Sequence, residues 1–185
     1  PAEPARQSPP PLPVKPRCFR RFCARWLDLT LYSGFWWIGM WAAGQDIEAV
    51  LLHPWMMFFH YVPWFFLEPL LIHRFGSTPG KWLLGLEVVN QDGSRLSLAA
   101  ATRRSLQVMI SGIGFGWYLL AIFCQVLSLI TTQRLGTTFW DHAGGHRVTA
   151  APLNPLRISA FVSLFAGSLI LHFIIFSPYI YEMSA

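Results

Sequence analysis

The sequence predicts an α-helical integral membrane protein with about four membrane segments and a small cytoplasmic antiparallel β-element. Three observations predict it. The 185 residues are 54% hydrophobic and only 12% charged, with nine Trp and fifteen Phe, well outside the usual range of soluble domains. Apolar stretches occur at about residues 22–42, 54–72, 105–133 and 158–181, each near or above the ~20 residues that cross a ~30 Å hydrocarbon core as helix. Between the second and third, Gln91-Asp92-Gly93-Ser94 separates two runs of β-prone residues, and Asp-Gly supplies the positive φ angles of a tight hairpin turn.

In chain order, residues 1–16 hold seven prolines and no apolar run, which predicts a disordered or extended arm and excludes a signal peptide within it. The first span opens on Arg20-Arg21-Phe22-Cys23-Ala24-Arg25-Trp26-Leu27-Asp28, after which no Lys or Arg occurs until beyond His73. A carboxylate carried into a span is costly unless something pairs with it. The second span carries His60, Trp64 and Glu68 at four-residue spacing, with Pro63 between them. A β-hairpin follows at about 81–98, and because an isolated hairpin is marginal in water, a third strand is expected at about 146–150. The third apolar stretch would make about 43 Å of continuous helix. Gly112, Gly114 and Gly116 interrupt it, so it is either one long tilted span or a helical hairpin. A further helix, at about 156–181, completes the chain.

Charge arbitrates the orientation, because Lys and Arg accumulate on the cytoplasmic side. With the N-terminus inside, six basic residues precede the first span and five lie between Arg74 and Arg104. A hairpin in the third stretch also keeps Arg134, Arg147 and Arg157 inside, and it is the preferred arrangement. The formal net charge of +5 does not point to nucleic acid, since the basic residues sit beside apolar runs and no nucleic-acid motif is present. Their partner is the lipid bilayer. Cys18, Cys23 and Cys124 are odd in number and lie in or beside spans, which argues against a disulfide framework.

From Phe19 to Ala150 the motifs occur in a specific order. Arg21-x-x-Ala24-x-x-x-Asp28 is followed by Glu68, Gly76-Ser77-Thr78-Pro79-Gly80-Lys81, Leu84-Gly85-Leu86-Glu87-Val88-Val89-Asn90-Gln91-Asp92-Gly93, Arg103 or Arg104, and Asp141-His142-Ala143-Gly144-Gly145-His146-Arg147-Val148. This series resembles the RDD family of small bacterial membrane proteins, named for one arginine and two aspartates. The resemblance implies that Arg21, Asp28 and Asp141 are those three residues, and that the chain resides in a bacterial cytoplasmic membrane. Gly145-His146 departs from the Gly-Thr usual there, and the last span lies beyond the family core. Members resemble transporters, including proposed cation/proton exchangers, so the resemblance implies a fold more firmly than an activity.

Each candidate site has a functional and a plainer reading. Arg21 and Asp28 are seven residues apart, hence on nearly one helix face and two turns apart. Asp28 is either an ion or proton site or, as the preferred reading, one half of an interfacial clamp with Asp141 that pairs Arg21, Arg103 or Arg104. Glu68 and His60 could carry an ion path, or Glu68 could be capped by His73, Arg74 or Lys81. Gly76 to Lys81 misses the phosphate-loop spacing and lacks its strand-then-helix setting. His142 and His146 have metal-pair spacing, but Gly144-Gly145 disfavours a helix there and nothing completes a shell. Neither a Gly-x-Ser-x-Gly nor a polar Cys/His pair is present, so no enzyme, metal or cofactor is expected. Two functions remain. One is a proton or monovalent-cation transporter acting as a homo-oligomer; the other is a non-catalytic scaffold or accessory subunit of a larger membrane complex.

Overall fold

The computed structural model describes residues 18–53, 55–114 and 118–182; the expected arm at 1–16 lies outside them. Eight helices and two strands run in the order α1 (Cys18–Ala42), α2 (Ile47–Leu52), α3 (Met56–Phe75), α4 (Pro79–Leu83), β1 (Leu86–Asn90), α5 (Leu98–Ser111), α6 (Tyr118–Leu135), α7 (Phe139–Gly144), β2 (His146–Ala150) and α8 (Pro155–Glu182). The short α2 is an addition to the expected elements, started by Asp46, whose carboxylate accepts from Ala49 N at 3.1 Å.

The β-element differs from the expected hairpin at 81–98. Pro79 at the first helical position, after extended Thr78, starts a helix over 79–83, a position where proline's fixed φ and missing N–H are no loss. β1 therefore begins only at Leu86. Its partner is β2, antiparallel with Val88 opposite Val148, whereas the returning arm of the Asp92-Gly93 turn keeps one bridge, Val89 to Arg95. The return is short because Leu96 drops into the core and Ser97 caps α5, accepting from Ala100 N at 3.2 Å. The sheet thus has two strands, not three.

The stretch 105–133 is two helices. α5 stops at Gly112, and Gly114 takes a left-handed φ of 54°, a conformation open to glycine at no steric cost. α5 leaves the sheet end soon after β1, and α6 returns to it before α7 and β2. The core lies at that end, where Ala24 of α1, Ile72 of α3 and Ala101 of α5 meet Leu86, Val88, Val148 and Ala150 of the strands.

An internal repeat organises this end. Arg74-Phe75-Gly76-Ser77-Thr78, α4, Gly85 and β1 recur as Arg134-Leu135-Gly136-Thr137-Thr138, α7, Gly145 and β2 at a constant offset. All four glycines are left-handed, with φ of 73° and 59° in the first copy and 66° and 65° in the second. The central strand pair, Val88 and Val148, has the same offset, so the two copies face each other about a local two-fold through that pair.

α8 is the one described helix long and apolar enough to cross a membrane by itself, with mean hydropathy 2.2 over its best stretch. It packs on α1 where Gly34 admits Leu171, the small-residue contact that lets membrane helices approach. His172 ties the pair. A carbonyl only accepts, so Nδ1 donates to Ser168 O at 2.7 Å and Nε2 accepts from Ser33 Oγ at 3.0 Å.

Candidate functional site: a buried charge lock at the sheet end

α1, α3, α4, α5 and α7 each place one or more charged side chains in a single cluster. Glu68, about two turns from the end of α3, is 2% exposed. Its carboxylate accepts from Arg25 Nη1 at 2.7 Å and Lys81 Nζ at 3.2 Å, and Arg104 Nη1 lies 3.9 Å away. Asp141 accepts from Arg104 Nε at 2.7 Å, with Arg21 Nη1 at 3.4 Å. Asp28 meets no guanidinium. Its oxygens accept from Thr78 Oγ1 at 2.5 Å and Gly80 N at 2.7 Å, and Lys81 Nζ donates to that same Thr78 hydroxyl at 3.2 Å.

The local sequence explains this arrangement. Thr78 makes no cap bond to its own helix, because its hydroxyl is committed to Asp28; the Asp28 carboxylate supplies the oxygen that the α4 N-terminus needs. Gly80 makes the approach possible, since a Cβ there would stand 2.3 Å from Ala24 O. In the second copy Thr138 likewise donates to a carboxylate, Asp141 Oδ2, at 2.7 Å. The polarity is reversed between copies. In the first, the acid (Asp28) is on the long helix and the base (Lys81) on the short one; in the second, the base (Arg104) is on the long helix and the acid (Asp141) on the short one.

Of the expected residues, Arg21, Asp28, Glu68, Arg104 and Asp141 come together. Arg103 does not: one residue before Arg104, it is turned about 100° round α5 and is exposed. Glu68 belongs to this cluster and is not capped by His73, which instead contacts Leu96 O at 2.9 Å. His60 is elsewhere, buried against the rings of Tyr32, Trp36 and Trp37, and Tyr32 Oη donates to its carbonyl. His142 and His146 do not share a helix, since α7 ends at left-handed Gly145. Lys81, one of the three expected caps of Glu68, does reach it, while Thr78 and Thr138 are members that the sequence reading did not assign to the cluster. The repeated Gly-Ser/Thr-Thr is the sequence signal that would have found the threonines.

Two groups of the site outside the spans have shifted titrations. Burial pushes the Asp141 carboxyl up, but Arg104, Arg21 and the hydrogen bonds from Arg104 and Thr138 outweigh it and hold the group below its ordinary value. Burial, followed by the charge of Arg104, pushes His146 below its ordinary 6.5.

A helical bundle with one strongly apolar helix, a two-stranded sheet and a buried ionic lock at one end defines a helical, membrane-associated protein. Its family follows from the sequence profile of the RDD family, which matches residues 15–145; the chain belongs to the RDD family. α8 lies beyond the matched region. No curated protein and no solved structure matches the chain.

Proposed function

We propose that this protein is a multi-span membrane scaffold or accessory subunit, with its sheet end cytoplasmic, and that its charge lock serves assembly instead of ion passage. The observation that carries this reading is the state of the acids. Glu68, Asp141 and Asp28 all spend their oxygens on buried protein donors, while a cation path needs a carboxylate with oxygens free toward water. Four cations, Arg21, Arg25, Lys81 and Arg104, surround the three carboxylates, a field that repels a passing cation. The orientation is supported by the α5/α6 break, which lets both helices enter and leave one face and keeps the basic loops together.

The test is reconstitution. In proteoliposomes the folded protein is expected to give no cation-driven pH change above empty vesicles. Flux that disappears in Glu68→Gln with the unfolding midpoint unchanged would overturn the scaffold reading and establish transport. Orientation is checked independently: Arg134→Cys should label only from the cytoplasmic side, and labelling from outside refutes the hairpin.

A further inference from the structure

A cavity of about 110 Å³ lies between α1, α5 and α6. Its floor is unequal in charge. All four lock cations, Arg21, Arg25, Lys81 and Arg104, line it, but of the three lock carboxylates only Asp141 does. Arg104 is 3% exposed; its Nη1, 3.9 Å from Glu68, and Arg21 Nη1, 3.4 Å from Asp141, are in ion pairs but make no hydrogen bond, and neither does Arg21 Nε among the described residues. Buried donors left without a hydrogen bond are expensive, and the two arginines that carry them line one space with a positive surplus.

The walls have the opposite character. Phe22, Trp26 and Leu29 of α1 face Ile113 and Leu129 across the cavity. α1 and α6 touch only sparsely, and Phe22, Trp26 and Leu129 are each about two-fifths exposed, so the rim is apolar and open to the side. Toward the sheet, Arg21 and Asp141 also line a second hollow of about 330 Å³, and their ion pair stands between the two spaces.

We propose that this cavity holds the anionic head group of a membrane phospholipid that enters sideways between α1 and α6. The guanidiniums of Arg21 and Arg104, whose N–H groups are not all hydrogen-bonded, take the phosphate oxygens, for which arginine's planar fork is suited. With a water occupying ~30 Å³, the cavity has room for a small polar head, and the acyl chains remain outside against Phe22, Trp26 and Leu129. A free phosphate would gain nothing from those walls. This inference is independent of the scaffold reading, because retention of a lipid requires neither a partner nor the absence of flux.

The test is native mass spectrometry of the full chain released from micelles doped with phosphatidylglycerol or phosphatidylcholine. Both lipids offer the same phosphodiester, but the surplus of cations repels the choline ammonium, so phosphatidylglycerol adducts should be retained about tenfold over phosphatidylcholine. Millimolar inorganic phosphate should not displace them; if it does, the site is for a soluble anion and the lipid assignment falls. Ser128→Phe, on the α6 wall outside the lock, should abolish the preference while the unfolding midpoint holds. Gln125→Trp repeats the block at a second α6 wall position should Ser128→Phe fail to fold, and Val162→Phe, on the exposed face of α8, should leave retention unchanged. Equal retention of the two lipids by the parent protein, or unaltered preference in folded Ser128→Phe or Gln125→Trp, overturns the proposal.

Discussion

Replacing Glu68 by Gln keeps the side chain's shape and removes one negative charge from the centre of the lock. Its three cationic neighbours stand at 2.7, 3.2 and 3.9 Å. At an effective dielectric of ~20, each such pair carries about 4–6 kcal/mol of gross attraction. Much of that is offset by the desolvation of the buried ions, and breaking a buried pair from one side costs a net ~3–5 kcal/mol because uncompensated charge is left behind. Glu68→Gln leaves four cations against two carboxylates, so the expected loss is in that range. Arg103→Gln, on the exposed side of the same neighbourhood, should stay within about 0.5 kcal/mol. Denaturant unfolding in detergent micelles, followed by tryptophan fluorescence, reads both. Lys81→Met added to Glu68→Gln removes one stranded cation, and the double variant should be more stable than the sum of the singles by about 0.5–3 kcal/mol. A Glu68→Gln midpoint equal to the parent's would refute the reasoning, since it would mean that the three contacts supply no net stability.

Further outcomes follow from the same geometry. Gly80→Ala puts a Cβ against Ala24 O at 2.3 Å and should cost about 1–3 kcal/mol by overpacking, whereas Gly39→Ala, with nothing within 4 Å, should be neutral or slightly stabilising in the same unfolding assay. His146 has a folded pKa lowered from 6.5, so the unfolded chain binds its proton first; stability should decline as pH falls through the unfolded value toward the folded one. An imidazole NMR titration midpoint below 6.5 checks the shift, and His146→Gln should flatten that part of the stability profile. Gly145→Ala must adopt a φ of 65° and should destabilise by about 1–2 kcal/mol, read by loss of amide protection across the β1–β2 pair.

Much of this architecture was legible because hydrophobic length and charge are local signals. The helices α1, α3 and α8 follow from apolar run length, and the break between α5 and α6 from Gly112 and Gly114. The strand at 146–150 was legible too, since His146 to Ala150 follows a glycine pair and carries β-branched residues. What escaped was nonlocal. Residues 81–98 hold a good hairpin turn at Asp92-Gly93, and nothing local says that its returning arm would keep only the Val89–Arg95 bridge while the expected strand at 146–150 takes the full pairing and buries Val88 against Val148. The choice of Arg104 over Arg103 depends on which face of α5 meets α7, and among His73, Arg74 and Lys81 it is Lys81 that α4 turns toward Glu68. His60 and Glu68 share a helix face by spacing alone; Trp64 packs beside the His60 cage while Glu68 meets cations from other elements.

The repeat explains why the cavity carries a positive surplus. Had both copies kept one polarity, each long helix would hold an acid and each short helix a base, and the two ion pairs would be self-contained. Because the second copy is reversed, Arg104 on α5 and Lys81 on α4 both come within reach of Glu68, the one carboxylate that α3 supplies between the halves. Glu68 also receives Arg25, so it is shared three ways, and Asp141 is shared between Arg104 and Arg21. Asp28, engaged by Thr78 and Gly80, relieves none of the arginines directly. Sharing of this kind leaves some N–H groups of Arg21 and Arg104 without a hydrogen bond, and both arginines line the cavity whereas Glu68 and Asp28 do not. The inversion that ties the two copies together is thus also what leaves an anion-seeking floor beneath an apolar opening.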